Sequence, residues 1–188
     1  MKMEDNQLVK IFLEGEDEAF EDLVKKYLKP VYNFLYRLTN DQAVVEDLAQ
    51  DTFLKAWKNM RRFDQKRNFK AWIFTIAKNT AFDFFRKKKE IPFSRFADED
   101  GRSWLENIED DEFLPDEILE RKNIAEELDE ILQKIPLHYR TILLLHYKEE
   151  FSLHEIAEIL GEPYNTVKSR HQRALLRLKK ALLSDQCV

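Results

Sequence analysis

The sequence predicts an all-α protein: two small helical domains joined by an acidic flexible linker, the C-terminal one a helix-turn-helix. Three observations carry this. First, 188 residues include only 3 Gly and 5 Pro, while Leu, Lys, Glu, Phe and Ile abound; this favours helices over many strands and turns. Second, apolar residues recur at three- and four-residue spacing through most of the chain. Third, the periodicity stops over residues 93–117, where Gly101, Pro115 and a surplus of carboxylates lie. Residues 1–92 and 118–188 are therefore read as the domains and 93–117 as the linker.

In order, residues 4–13 suit a short helix closed by Gly15. From about Asp17 to Leu38, residues Ala19, Phe20, Leu23, Val24, Tyr27, Val31, Phe34, Leu35 and Leu38 keep helical spacing. Pro30 lies inside this run and is expected to kink or divide it. Asn40 is expected to cap a third helix, about 41–59. There Val45, Leu48, Ala49, Thr52 and Ala56 form one stripe for the core. A second group, Gln50, Phe53, Leu54 and Trp57 with Asp47 and Asp51 at its edge, is either covered by a further helix or exposed for docking.

After the loop MRRFDQKRN, a fourth helix covers about 69–88. Its projection puts Phe69, Trp72, Ile73, Ile76, Ala77, Thr80 and Phe84 on a broad core face. Phe74, Ala81 and Phe85 form a second stripe that another helix should cover. Thr75, Asn79, Phe82 and Arg86 share one narrow line leading toward Lys87, Lys88 and Lys89, with Phe82 read as packing. Helices follow at about 118–134, 137–148, 152–160 and 164–183.

Several local signals agree on a helix-turn-helix in FSLHEIAEILGEPYNTVKSRHQRALLRLKKAL. Ser152 and Glu155 form a capping box. Ile156, Ala157, Ile159 and Leu160 give the first helix its inner face, and Gly161 supplies the left-handed residue that ends it. Asn165 or Thr166 is expected to cap the next helix. Val167, His171, Ala174, Leu175, Leu178 and Leu182 point inward on that helix, and His171 is read as a packed histidine. Ser169, Gln172 and Arg173 face outward, with Lys168 and Arg170 on the flanks. This suits a recognition helix in a major groove, its polar groups toward base edges and its flanking cations toward phosphates.

Charge is unevenly placed. The net charge of −5 hides ten Lys/Arg against two Asp over residues 61–89, six Lys/Arg without an acid over 165–180, and ten Asp/Glu against one Arg over 97–118. Two basic segments of this density point to a polyanion partner. The single cysteine, Cys187, excludes an intrachain disulfide, and no Cys/His cluster suggests a metal. No catalytic constellation or Gly-rich phosphate loop is visible. We therefore expect no enzyme, no cofactor and no small-molecule substrate. Without an apolar signal core or a run of roughly 18 apolar residues, membrane insertion is not expected and a cytoplasmic protein is.

EDLAQDTFLKAW, FKAWIFTIAKNTAFDFFRKKK, IPLHYRTILLLHY and SLHEIAEILGEPYNTVKSRHQRAL, with GEDEAFEDLVKKY near the start, together resemble the extracytoplasmic-function sigma factors of bacteria. The resemblance covers about residues 15–90 and 118–183. It implies a protein that binds core RNA polymerase and directs it to promoters. The helix over 41–58 would dock on a coiled coil of the β′ subunit through Asp47, Gln50, Asp51, Phe53, Leu54 and Trp57. The first domain would read and melt the −10 element through Arg61, Arg62, Lys66, Arg67, Thr75, Lys78, Asn79 and Arg86. The second would read the −35 element through Thr166, Lys168, Ser169, Arg170, Gln172 and Arg173. The family also implies an anti-sigma partner and a linker threaded through polymerase. Two positions depart from its pattern: Asn165 stands where Gly is common, and His171 where an apolar residue is usual. The competing readings are a helix-turn-helix regulator that acts without polymerase and an adaptor that binds protein alone.

Overall fold

The structure is a computed structural model, and it describes residues 4–89 and 125–185. The expected linker and Cys187 lie outside the described residues. Within them every regular element is helical.

The first unit comprises α1 (Asp5–Leu13), α2 (Glu18–Thr39), α3 (Gln42–Asn59) and α4 (Phe69–Lys89). Gly15, at φ +111°, turns the chain between α1 and α2. Asp5 then ties the two helices, accepting from Tyr27 Oη at 2.5 Å and from Lys26 Nζ. Pro30 does not divide α2, which runs unbroken through it. The missing amide deprives the Lys26 carbonyl of its helical partner, but Lys26 is on the exposed face, while Tyr27, Val31 and Phe34 on the other face are buried. Nor does Asn40 cap α3. It closes α2 in the left-handed conformation at φ 53°, and Asp41 caps α3 by accepting from Val44 N.

The second unit comprises α5 (Ala125–Lys134), α6 (Leu137–Leu143), α7 (Leu153–Leu160) and α8 (Tyr164–Asp185). The expected helix over 137–148 changes character halfway: α6 passes into a π-helical turn, Leu144–Lys148. Its wider loop is visible in the Glu149 amide donating to the Leu144 carbonyl. The turn carries Leu144 and Leu145 inward and leads to Glu150 at φ 60°.

The units pack together, α4 on α7 and α2 on α5 and α6. Phe74 of α4 meets Phe151 edge-on at 5.4 Å, and both rings are buried. Of the stripe expected to be covered by another helix, Phe74 and Ala81 are buried and Phe85 is only partly so, and the ring on Phe74 comes from Phe151 just before α7. Lys70 Nζ donates to the Glu149 carbonyl at 2.5 Å and stands over the Phe151 ring at 4.8 Å. Gln133 Nε2 donates to the Arg37 carbonyl at 2.8 Å. Burial pushes the Glu149 carboxyl up, against the opposing pull of Lys70 and Arg37.

Candidate docking and nucleic-acid interfaces

The sequence left open whether the second stripe of α3 is covered. Val45, Leu48, Ala49, Thr52 and Ala56 face the core and are buried, and so is Phe53. Leu54 and Trp57 stay 46% and 48% exposed. They line an open groove of about 550 Å³ between α2 and α3, whose walls are Phe20, Val24, Leu28 and Tyr32 on one side and Ala49, Gln50, Phe53, Leu54 and Trp57 on the other. Leu28 is itself 46% exposed. An uncovered apolar trough of this kind is costly to keep wet and is a candidate docking site. Asp47 and Asp51 are exposed on the same helix, Asp51 paired with Lys55 at 2.9 Å.

Beyond α3, Phe63 packs its ring edge against Phe69 at 5.6 Å and lies 5.0 Å from Trp72. That anchor leaves the loop's cations Arg61, Arg62, Lys66 and Arg67 exposed. On α4, Asn79 and Arg86 are exposed and Thr75 is partly so, its Oγ1 donating to the Ala71 carbonyl. Phe82 is partly buried. Lys78 departs from the expected exposed row. It is 8% exposed, and burial pushes its ammonium pKa down, while Glu162 and Asp83 oppose that shift.

In the helix-turn-helix the capping box is formed, with Ser152 Oγ accepting from Glu155 N and the Glu155 carboxylate from Ser152 N. Gly161 takes φ 69°. The recognition helix α8 starts earlier than expected. Neither Asn165 nor Thr166 is its cap, because both lie in its first turn, and the Pro163 carbonyl accepts from the amides of Thr166 and Val167. Proline lacks the amide that a helix start would leave unpaired, which suits this place. Val167, Ala174 and Leu178 are buried as expected. Lys168 and Gln172 are exposed, and Thr166, Ser169, Arg170 and Arg173 partly so. Arg170 Nη1 donates to both carboxylate oxygens of Glu162, at 2.6 and 2.5 Å.

Residues 23–91 match the Sigma-70 region 2 family and residues 125–178 the Sigma-70 region 4 family. The ECF RNA polymerase sigma factor SigW of Bacillus subtilis is 34% identical over 97% of this chain and 98% of its own. The chain belongs to the extracytoplasmic-function sigma factors. The RNA polymerase sigma factor YlaC of the same organism is 32% identical over 90% of this chain and 95% of its own. The sigma factor RpoE of Bartonella quintana, solved with its anti-sigma factor NepR, is 28% identical and superposes with a TM-score of 0.67 over 89% of this chain and 99% of that one.

This is therefore an alternative sigma factor, a protein that binds core RNA polymerase and directs promoter recognition and transcription initiation. Among its described residues no helix is long and apolar enough to cross a membrane. Sequence reasoning missed the α2 wall of the groove. Phe20 and Val24 were read only as part of the helical spacing of α2, and Leu28 and Tyr32 carried no separate signal. It also missed Glu162, an acid standing immediately before the basic recognition helix, where its charge contrast with Arg170 was the available clue.

Proposed function

We propose that the sigma factor docks core polymerase through the groove between α2 and α3, and that the two basic surfaces divide the promoter between them. Residues 1–92 form the −10 and polymerase-binding unit, 118–188 the −35 unit, and 93–117 the tether. The observation that supports the reading best is the open apolar groove with Leu28, Leu54 and Trp57 exposed on its rim. Its shape suits a helix with an apolar ridge, and a coiled coil of β′ is the proposed occupant. Gln50, Asp47 and Asp51 supply a polar rim that fixes register.

In this scheme Arg61, Arg62, Lys66, Arg67, Thr75, Asn79 and Arg86, with Lys78 once uncovered, hold the −10 region. Capture of unpaired bases there offsets an unstacking cost of a few kcal/mol per flipped base. Thr166, Lys168, Ser169, Arg170, Gln172 and Arg173 hold the −35 duplex, and phosphate contacts make affinity salt-dependent. The chain performs no chemistry itself and acts in the cytoplasm, where polymerase and promoter DNA are. An anti-sigma factor, as in the solved relative, would inhibit it by covering these faces.

The test is Trp57→Ala and Leu54→Ala. Both side chains are half exposed, so the fold should keep its thermal midpoint. Each variant should bind core polymerase tenfold or more weakly, at about 1.4 kcal/mol or above, as expected of a central anchor, and run-off transcription should fall with it. Undiminished co-elution with core enzyme at limiting concentration would refute the assignment.

A further inference from the structure

Two of the cations proposed to face the promoter are held by carboxylates of the chain. Arg86 Nη2 pairs with Asp83 at 2.9 Å. Arg170 Nη1 is gripped by both oxygens of Glu162, eight residues earlier in the chain, and both partners are less than a third exposed. The charge of Glu162 also acts on Lys78, buried where α4 meets α7. The Asp83 pair is an exposed contact within one helix turn, of a sort that contributes little. Glu162 differs: it grips its arginine with both oxygens in a pair that is largely sheltered from solvent. Its backbone is fixed by the turn, with its amide donating to the Ala157 carbonyl and Gly161 and Pro163 on either side.

A carboxylate that holds an arginine with two oxygens presents it with what a DNA phosphate would present. We propose that Glu162 is an internal phosphate surrogate: it occupies Arg170 in the free sigma factor, and promoter phosphate must displace it. This rests on the assignment of Arg170 to the −35 surface. Glu162 then lowers the affinity of the free chain for DNA. Association becomes an exchange of one anion for another rather than a gain of a new ion pair.

The experiment uses the full chain and a fluorescent duplex of mixed sequence, titrated from low to physiological salt. Glu162→Gln keeps the shape of the turn and removes the charge; Glu162→Ala also removes the residual hydrogen bond. Both should bind the duplex about twofold to fivefold more tightly, the span expected for a partly exposed ion pair. The gain should shrink as salt screens the pair, and it should vanish in an Arg170→Ala background. If Arg170→Ala weakens binding but neither Glu162 variant gains affinity, the surrogate role is wrong and the −35 assignment stands. Weaker binding by Glu162→Gln would likewise overturn the proposal, by showing that the carboxylate positions Arg170 for DNA. If Arg170→Ala binds as tightly as the wild type, the −35 assignment falls and the proposal falls with it.

Discussion

His171 sits on the inner face of the recognition helix, with Tyr147 Oη 3.1 Å from its Nε2 and the His146 ring 4.9 Å away. His146 Nδ1 lies 2.8 Å from the Phe151 carbonyl, which can only accept, so that nitrogen carries a proton. Burial, with a smaller contribution from His146, lowers the His171 pKa to about 4 from an ordinary 6.5. Between these values the unfolded chain holds a proton that the folded one refuses, so stability rises with pH across the window. It should be complete above about 6.5 and decline as the solution is acidified toward 4. Urea midpoints at pH 7 and pH 5 read this directly. In His171→Leu the drop between the two should be smaller than in the wild type. Equal drops would assign the acid sensitivity to other groups.

Helix ends show how far sequence reading reaches. The capping box at Ser152 and the left-handed Gly161 were legible because each depends on residue types at fixed offsets within one turn. Asn40 and Asp41, or Pro163 and Asn165, are neighbours that can each end or start a helix. Packing chooses between them, so the sequence named the place and missed the residue. The same limit applies to whole faces. Periodicity found two stripes on α3 and two on α4. It could not tell that the second stripe of α4 meets Phe151, 77 residues later in the chain, while on that of α3 Phe53 is buried and Leu54 and Trp57 stay exposed on an open groove beside α2. The most direct test of an end is Gly161→Ala. A Cβ there would touch nothing within 4 Å, so no clash confuses the result. The cost is the left-handed backbone at φ 69° alone, about 1 kcal/mol. A thermal melt that shifts by a few degrees agrees; no shift would show that the turn relaxes, and unfolding would show a wider role for Gly161.

The whole molecule sets a geometric constraint that neither unit shows alone. The helix α4, which carries several of the proposed −10 residues, packs on α7 of the helix-turn-helix that carries the proposed −35 residues. On duplex DNA, elements named −10 and −35 are separated by about 25 base pairs, or about 85 Å at 3.4 Å each. The arrangement in which α4 touches α7 therefore cannot read both at once. Under the proposed assignment of the two surfaces, the units separate before or during promoter binding, and the contacts of Lys70, Phe74, Glu149 and Phe151 break. Polymerase can drive this to the extent that it binds the separated form more tightly. Joining the units should then block function without touching a proposed binding residue. With Cys187→Ser as background, Lys70→Cys and Glu149→Cys can be bridged by a short thiol-reactive linker. The bridged protein should still engage core polymerase through the groove of α2 and α3, yet give no run-off transcript, whereas the same double variant left unbridged should transcribe. Full transcription by the bridged protein would mean that the closed form is itself competent, and that the two surfaces do not read the −10 and −35 elements in the way proposed.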